Sequence, residues 1–226
     1  FTKISFELVA SENILDYADG SVIYAKDTVV GKYNLNKEGK LTIDKLLMGK
    51  YFLREITTID GAVLDQTKHD VIFEQTDTKT KEYVLDMNIE NKTTVIEVSK
   101  TEITNEKELP GAKLSIIDEN GKIIDEWISS EKSHKIEGLI VGKEYTLRED
   151  LAPLGYVKAS DVKFIVENTV DVQKINMVDK IVEMTKKNVA GEELEGAKMQ
   201  VLDKDNNIID EWTSSKEAHR INNLVE

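Results

Sequence analysis

The chain has no cysteine, so disulfides are excluded as a source of stability. A secreted chain would have to manage without them and an intracellular one needs none, so the count does not fix the compartment. Aromatic residues are scarce, at 6%, and mostly spaced like core positions, so no aromatic-rich binding loop stands out. Basic residues are outnumbered, 30 against 43 acidic, giving a net charge of −13. That balance argues against nucleic acid or an anionic membrane as partner, since both call for a basic face. No apolar run approaches the length of a transmembrane helix, so no membrane insertion is expected of this segment. A signal peptide, a Gly-rich phosphate loop and a serine or cysteine triad are all missing, and no cofactor is expected. The chain opens on FTKISFELVA, an alternating pattern without an initiator methionine, and closes on RINNLVE, so both ends are expected to be cuts inside domains.

What is present is repetition. ELPGAKLSIIDENGKIIDEWISSEKSHKIEGL (Glu108 to Leu139) returns 85 residues later as ELEGAKMQVLDKDNNIIDEWTSSKEAHRINNL. Upstream, VIEVSK (Val95 to Lys100) matches IVEMTK (Ile181 to Lys186), and GKYFLREITTIDGAVLD (Gly49 to Asp65) matches GKEYTLREDLAPLGYVK (Gly142 to Lys158). Self-similarity of this period marks tandem units. The expected domains are 1–92, lacking its first strand; 93–180, complete; and 181–226, the N-terminal half of a third. No Pro/Gly-rich linker marks the seams, so neighbouring repeats are expected to follow one another with little slack.

Within a unit, short alternating runs are separated by turns. Strands are predicted at Val95–Thr101, Lys113–Ile117, Ile123–Ile128, Glu144–Glu149, Val162–Val166 and Val172–Val178. Asn120-Gly121 is a strong hairpin signal, and LNKEGKLTI in the first unit reads the same way. A further strand is read at the end of unit one, with Tyr83, Leu85, Met87, Ile89 and Asn91 on one face. The one segment with room for a short helix is SENILDYA (Ser11 to Ala18). Rows of short strands with turn signals predict an all-β protein built of tandem β-sandwich domains.

Three polar residues break the apolar faces. Successive side chains on a strand point to opposite sides, so Lys100 shares a face with Ile96 and Val98. Glu149 shares one with Tyr145 and Leu147, and Asp179 one with Ile175 and Met177. Unit one repeats the glutamate as Glu55, beside Tyr51 and Leu53, and the last polar residue as Asn91; unit three repeats the lysine as Lys186. A sandwich that sets its first and last strands side by side would unite the three. Burial favours the neutral amine of a lysine and the protonated form of a carboxylic acid. A neutral amine held against a carboxyl or carboxamide, with a glutamic acid to polarise the carbonyl and shuttle protons, can form an amide. The product would be an intramolecular isopeptide bond, releasing water at Asp179 or ammonia at Asn91.

The ordered set VIEVSKTEI, ELPGAKLSIID, GKEYTLREDLAPLGY and INMVDK resembles the collagen-adhesin B-type domain, also called SpaA-like or prealbumin-like, of Gram-positive surface adhesins and pili. The resemblance rests on Lys100, Gly111-Ala112, Tyr145, Leu147, Glu149, Ala152-Pro153, Gly155-Tyr156 and Asp179, and it extends over the chain in three pieces. It implies prealbumin-like or Ig-like sandwiches with Greek-key connections. It also implies a Lys100–Asp179 cross-link assisted by Glu149, an acceptor Asn91 with Glu55 whose lysine lies outside the chain, and a donor Lys186 whose partner also lies outside. It places the protein outside the cell, attached to a Gram-positive-type wall. Unit two ends on Asp179 where asparagine is commoner, unit one has TTIDGAVLD in place of the Ala-Pro-x-Gly-Tyr stretch, and Lys3 sits where the Gly-Ala strand should begin, so it is not assigned as donor.

Other motifs point elsewhere only weakly. DKDNN (Asp203 to Asn207) starts like a calcium loop but lacks the sixth-position glycine and has Ser214 at the twelfth; its counterpart is a hairpin. His134 and His219, one per unit, make no metal site. Trp127 and Trp212 are expected to cover the sheet. ELPGAK shares part of a sortase signal but lacks its Thr-Gly and apolar tail. The function expected is a structural stalk or fibre segment that staples itself once per domain and is not a turnover enzyme. The rivals are an adhesin module for a host matrix protein or glycan, and accessory repeats of a secreted enzyme.

Overall fold

Alternating apolar residues bounded by Gly, Asn and Asp turns build every regular element here. The computed structural model describes residues 1–74, 84–104 and 106–222, and among them all regular structure is strand. The all-β expectation holds. Two compact units form, one from Phe1–Thr94 with Gly138–Val141 and Asn168–Val170, the other from Val95–Glu137, Gly142–Glu167 and Asp171–Glu226.

The first unit contains β1 (Ser5–Ala10), β2 (Ile14–Leu15), β3 (Val22–Tyr24), β4 (Val29–Asn34), β5 (Gly49–Thr57) and β6 (His69–Phe73). An antiparallel sheet runs β4-β1-β5-β6. Its inner face buries Phe6, Leu8, Tyr51, Leu53 and Val71. The expected helix at SENILDYA does not form. Ile14 is drawn into the core, 1% exposed, and the segment becomes the small β2–β3 hairpin. Its polar side chains bond to backbone instead, with Asp16 Oδ1 accepting from Ala18 N–H at 2.7 Å and Asn13 Oδ1 from Lys26 N–H at 2.9 Å, a competition that disfavours helix. Gly49, at φ 153°, lets Ile14 in: a Cβ there would stand 2.4 Å from Ile14 Cδ1.

The second unit contains β7 (Val95–Glu102), β8 (Lys113–Asp118), β9 (Ile123–Ile128), β10 (His134–Glu137), β11 (Glu144–Leu151), β12 (Tyr156–Val157), β13 (Val162–Ile165) and β14 (Gln173–Ile181). Beyond these come β15 (Glu183–Met184), β16 (Lys198–Leu202), β17 (Ile208–Thr213) and β18 (His219–Arg220). One sheet runs β10-β7-β14-β12 and the other β13-β11-β8-β9. Between them lie Ile96, Val98, Leu114, Ile116, Tyr145, Leu147, Phe164 and Met177, all buried. Each such side chain stabilises by about 1.5–3 kcal/mol relative to exposure. First and last strands are neighbours, because β14 pairs β7 in parallel with Met177 opposite Lys100. The expected hairpin at Asn120-Gly121 forms, β8 against β9, with Asp118 Oδ1 accepting from the N–H groups of Asn120 and Lys122. DKDNN is likewise the turn joining β16 to β17, its Asp203 Oδ1 taking the N–H groups of Asp205 and Asn207. In β15–β18, Met184 faces His219 as Val98 faces His134 in β7–β10.

Two strand expectations in the first unit fail for one reason. Residues 84–91 carry no strand, and Tyr83 lies outside the described residues. The LNKEGKLTI turn closes, with Asn36 N–H donating to Lys40 O at 2.8 Å, but Leu41–Ile43 form no second strand of a hairpin. In the second unit the segments aligned with these two, β14 and β10, both pair with β7, one on each side. No strand equivalent to β7 is present among the first unit's described residues. An alternating pattern yields a strand only where a neighbour completes the ladder.

Candidate functional site

Strand β7 is buried at alternate positions, Ile96, Val98 and Lys100, so the fold spends an inward position on an ammonium group. β11 does the same with Glu149 after Tyr145 and Leu147, and β14 with Asp179 after Met177. The three side chains meet. Lys100 is 1% exposed, and Glu149 and Asp179 are fully buried. Lys100 Nζ donates to Asp179 Oδ1 and lies 3.0 Å from Glu149 Oε1. The lysine therefore bridges neighbouring strands of one sheet and reaches across to the other.

Two carboxyls and one amine in a dry site cannot all be charged without excess. Burial pushes Asp179 up to about 6; Lys100 pulls against that shift and the adjacent Glu149 adds to it. Glu149 is anchored at its other oxygen, where Oε2 accepts the main-chain N–H of Ala159 at 2.6 Å. The lysine's backbone is fixed as well: its N–H donates to Glu108 Oε2 at 3.1 Å and its carbonyl accepts from Leu109 N–H at 2.6 Å. An amine, a carboxyl group with a raised proton affinity and a second carboxyl group for proton transfer are the components of amide formation.

The first unit assembles part of this arrangement. Glu55 is buried on β5, and its Oε2 accepts from Asp65 N–H at 2.6 Å and from Asn91 Nδ2 at 2.8 Å. Asn91 Nδ2 also donates to Val63 O at 3.2 Å. Glu55 Oε1, counterpart of the oxygen that touches Lys100, is buried with no hydrogen-bond partner among the described residues. Lys3 is far from this arrangement in role: it is exposed and pairs with Asp60 at 3.0 Å. Lys186 is exposed, just beyond β15, and its carbonyl accepts from Leu194 N–H at 2.7 Å, repeating the turn after Lys100.

The anchoring N–H groups of Ala159 and Asp65 escaped sequence reasoning. They are main-chain donors on residues of different type, so composition carries no trace of them. The available signal was spacing, since each follows its glutamate by ten residues. Trp127 and Trp212 lie against His134 and His219, with ring centroids 4.2 and 4.3 Å apart, and each histidine also bonds an aspartate, Asp125 or Asp210. No helix among the described residues is long and apolar enough to cross a membrane.

Among solved structures, the Bacillus anthracis TIE protein is similar at 20% identity and TM-score 0.46, over 96% of this chain and 40% of that one. The chain thus spans less than half of that relative's length. The minor pilin GBS52 of Streptococcus agalactiae is similar at 16% identity and TM-score 0.37, covering 83% and 87% of the two chains. The shaft pilin SpaA of Lactobacillus rhamnosus GG is similar at 13% identity and TM-score 0.37, covering 82% and 87%. No curated protein matches the chain significantly. The family model for the SpaA prealbumin-like fold domain matches residues 3–87 and again 94–181, the two stretches that carry the buried glutamates, and the chain therefore belongs to the SpaA prealbumin-like domain family.

Proposed function

We propose that this chain is a structural stalk or fibre segment of a cell-wall-attached bacterial surface protein, with tandem domains 1–92, 93–180 and 181–226. Its second domain staples itself through an isopeptide bond between Lys100 Nζ and Asp179 Cγ, assisted by Glu149. The observation that carries the reading is the fully buried triad, in which Lys100 touches both carboxyl groups. A buried ion cluster kept for stability alone is a poor device, because apolar residues of like volume commonly do as well or better. The bond joins the first strand of the sandwich to the last, so tension along the chain is carried covalently instead of peeling β7 from β14. By analogy with disulfides, closing a loop this long adds about 4–5 kcal/mol on chain-entropy grounds. The bond forms once and nothing turns over. In unit one Asn91 is the proposed acceptor with Glu55 as its glutamate, and in unit three Lys186 is the proposed donor. Family membership supports a surface structural role.

The test is the intact mass of the 226-residue chain in denaturant. The expected value is one water below the sequence mass, with proteolysis yielding a branched peptide that joins Lys100 to Asp179. An unmodified mass with separate peptides would refute the cross-link. A binding role is the second reading, favoured by the β2–β3 hairpin, which leaves Leu15, Tyr17, Val22 and Ile23 exposed. Retention of the chain on immobilised matrix protein or glycan, lost when Tyr17 and Val22 become serine, would support it.

A further inference from the structure

Glu55 and Glu149 share a feature that the lysine and its acceptor do not explain. Each has one oxygen pinned by a main-chain N–H ten residues downstream, Ala159 for Glu149 and Asp65 for Glu55, both at 2.6 Å. In unit one the same oxygen also accepts from the Asn91 amide. An oxygen that takes two N–H donors acts purely as an acceptor and carries no proton itself, and N–H bonds to a buried carboxylate favour its charged form. The feature recurs where the acceptor differs, aspartate in one unit and asparagine in the other, and where the following sequence differs, APLGYVKA against TIDGAVLD.

We propose that the main-chain N–H of Ala159 is a positioning group that holds Glu149 as the ionised base and leaves the proton shared by the two carboxyls on Asp179, the acid that Lys100 attacks. The inference rests on the cross-link proposed above and assigns its protons. It reverses the sequence-based expectation that the glutamate enters as the acid. A carboxylate is a poor electrophile and a carboxylic acid a better one, so the proton is useful on Asp179 and obstructive on Glu149. The step balances. Lys100 enters as ammonium, Glu149 as carboxylate and Asp179 as carboxylic acid, with zero net charge. Glu149 takes a proton from Lys100, and the freed amine attacks Asp179 Cγ. The C–N bond forms and the C–OH bond breaks, the hydroxyl leaving as water with the second amine proton passed through Glu149. The products are a neutral amide, water and protonated Glu149. In unit one the same arrangement would release ammonia from Asn91.

The environment of Asp179 is consistent with this assignment. The charged groups that face it are Lys100 from β7 and Glu149 from β11. On its other flank β12 brings Tyr156, whose hydroxyl donates to Glu102, beside Arg220. Among the described residues, Asp179 Oδ2 is buried without a hydrogen-bond partner and Glu149 Oε1 has the Lys100 amine at 3.0 Å, so one proton between the two carboxyls would serve both.

The experiment follows cross-linking of the full chain made by cell-free translation, with aliquots quenched in denaturant and weighed intact at pH 5 to 8. In the original chain the rate should fall as pH rises through about 6, where Asp179 loses its proton. Ala159→Pro removes the N–H, and Ala159→Gly keeps it. The glycine variant should match the original; the proline variant should be slower by about tenfold or more, the worth of a charge-assisted hydrogen bond. Its descending limb should also move to higher pH, because the pair then holds its proton more tightly. A merely structural role would slow the reaction without moving that limb. Asp179→Asn provides a measurement that does not disturb the loop: it should lose ammonia in place of water and show no fall above about pH 6. If Asp179→Asn keeps the descending limb, or if Ala159→Pro keeps both the original rate and pH profile, the assignment is overturned. If the original chain never loses water, the cross-link itself is refuted, which is a distinct outcome.

Discussion

Glu55 and Glu149 are held alike, yet their surroundings differ, and the difference separates what builds this site from what completes it. Each glutamate sits on the inner face of a middle strand, one oxygen fixed by the downstream loop. Unit one achieves this with residues 84–91 outside any strand and with no β7 equivalent among the described residues. The glutamate is therefore prepared by one sheet and its loop. The proposed acceptor is held in two ways: Asp179 by the parallel ladder with β7, and Asn91 by side-chain hydrogen bonds to Glu55 and Val63. The lysine strand supplies the second sheet as well as the amine.

The largest break in this comparison is Lys100→Ala. It should abolish the proposed cross-link and leave two carboxyls buried together, a loss of about 3–5 kcal/mol in addition to the bond. Intact mass and denaturant melts check both effects. The sign of its pH dependence follows. Burial already raises Asp179 to about 6, and Lys100 is what holds it down, so its removal drives the carboxyl further up. A group with a raised folded pKa contributes stability that is full at low pH and lost as pH rises through that pKa. Lys100→Ala should thus be most stable near pH 4 and decline through pH 6 and above, whereas the cross-linked chain has no free Asp179 to titrate. Adding Asp179→Asn to Lys100→Ala would make the second site resemble the first. It should restore about half of the loss or more, since a neutral amide beside Glu149 removes the like-charge conflict. A double variant no more stable than the single one would show that unit one tolerates its glutamate for another reason.

Glu149→Ala comes next in size. The amine and Asp179 remain paired, so the fold should persist, but the bond should not form. The expected cost is the contribution of the cross-link, about 4–5 kcal/mol by the disulfide analogy, read as a lower melting temperature with the unmodified mass. A cross-linked Glu149→Ala chain would show that Glu149 takes no part in the reaction.

Most of the site was legible because β-strand alternation is strict. Ile96, Val98 and Lys100 must share a face once the segment is a strand, and the same holds for Tyr145, Leu147 and Glu149. Repetition then distinguished a polar break with a purpose from a solvated strand end. What alternation could not reveal was whether a partner strand exists. The Leu85–Asn91 pattern is as good as that of Ile175–Asp179, but only the latter has β7 beside it. Nor could it find Ile14, whose segment has helical spacing and turn-forming Asn and Asp at once; burial against Gly49 decides that case. The Ala159 and Asp65 donors were hidden for a simpler reason, being backbone.

The smallest expected effect sharpens the comparison most finely. Among the described residues no lysine stands beside Asn91, so Glu55→Gln should leave the intact mass unaffected apart from the substitution. A glutamine keeps one acceptor oxygen but adds an NH2 that has to face some group in the buried pocket. If Glu55 is ionised, its Oε2 makes charge-assisted bonds to Asp65 N–H and Asn91 Nδ2, and the amide replaces both with ordinary ones. The loss should be about 1–2 kcal/mol, seen as faster hydrogen exchange at the Asp65 amide more than as a change in global melting. If Glu55 were instead protonated, the amide would be close to isosteric and isoelectronic with it, and Asp65 exchange would scarcely change. The exchange rate at that one amide thus reports the ionisation of the glutamate in the unit where no cross-link obscures it.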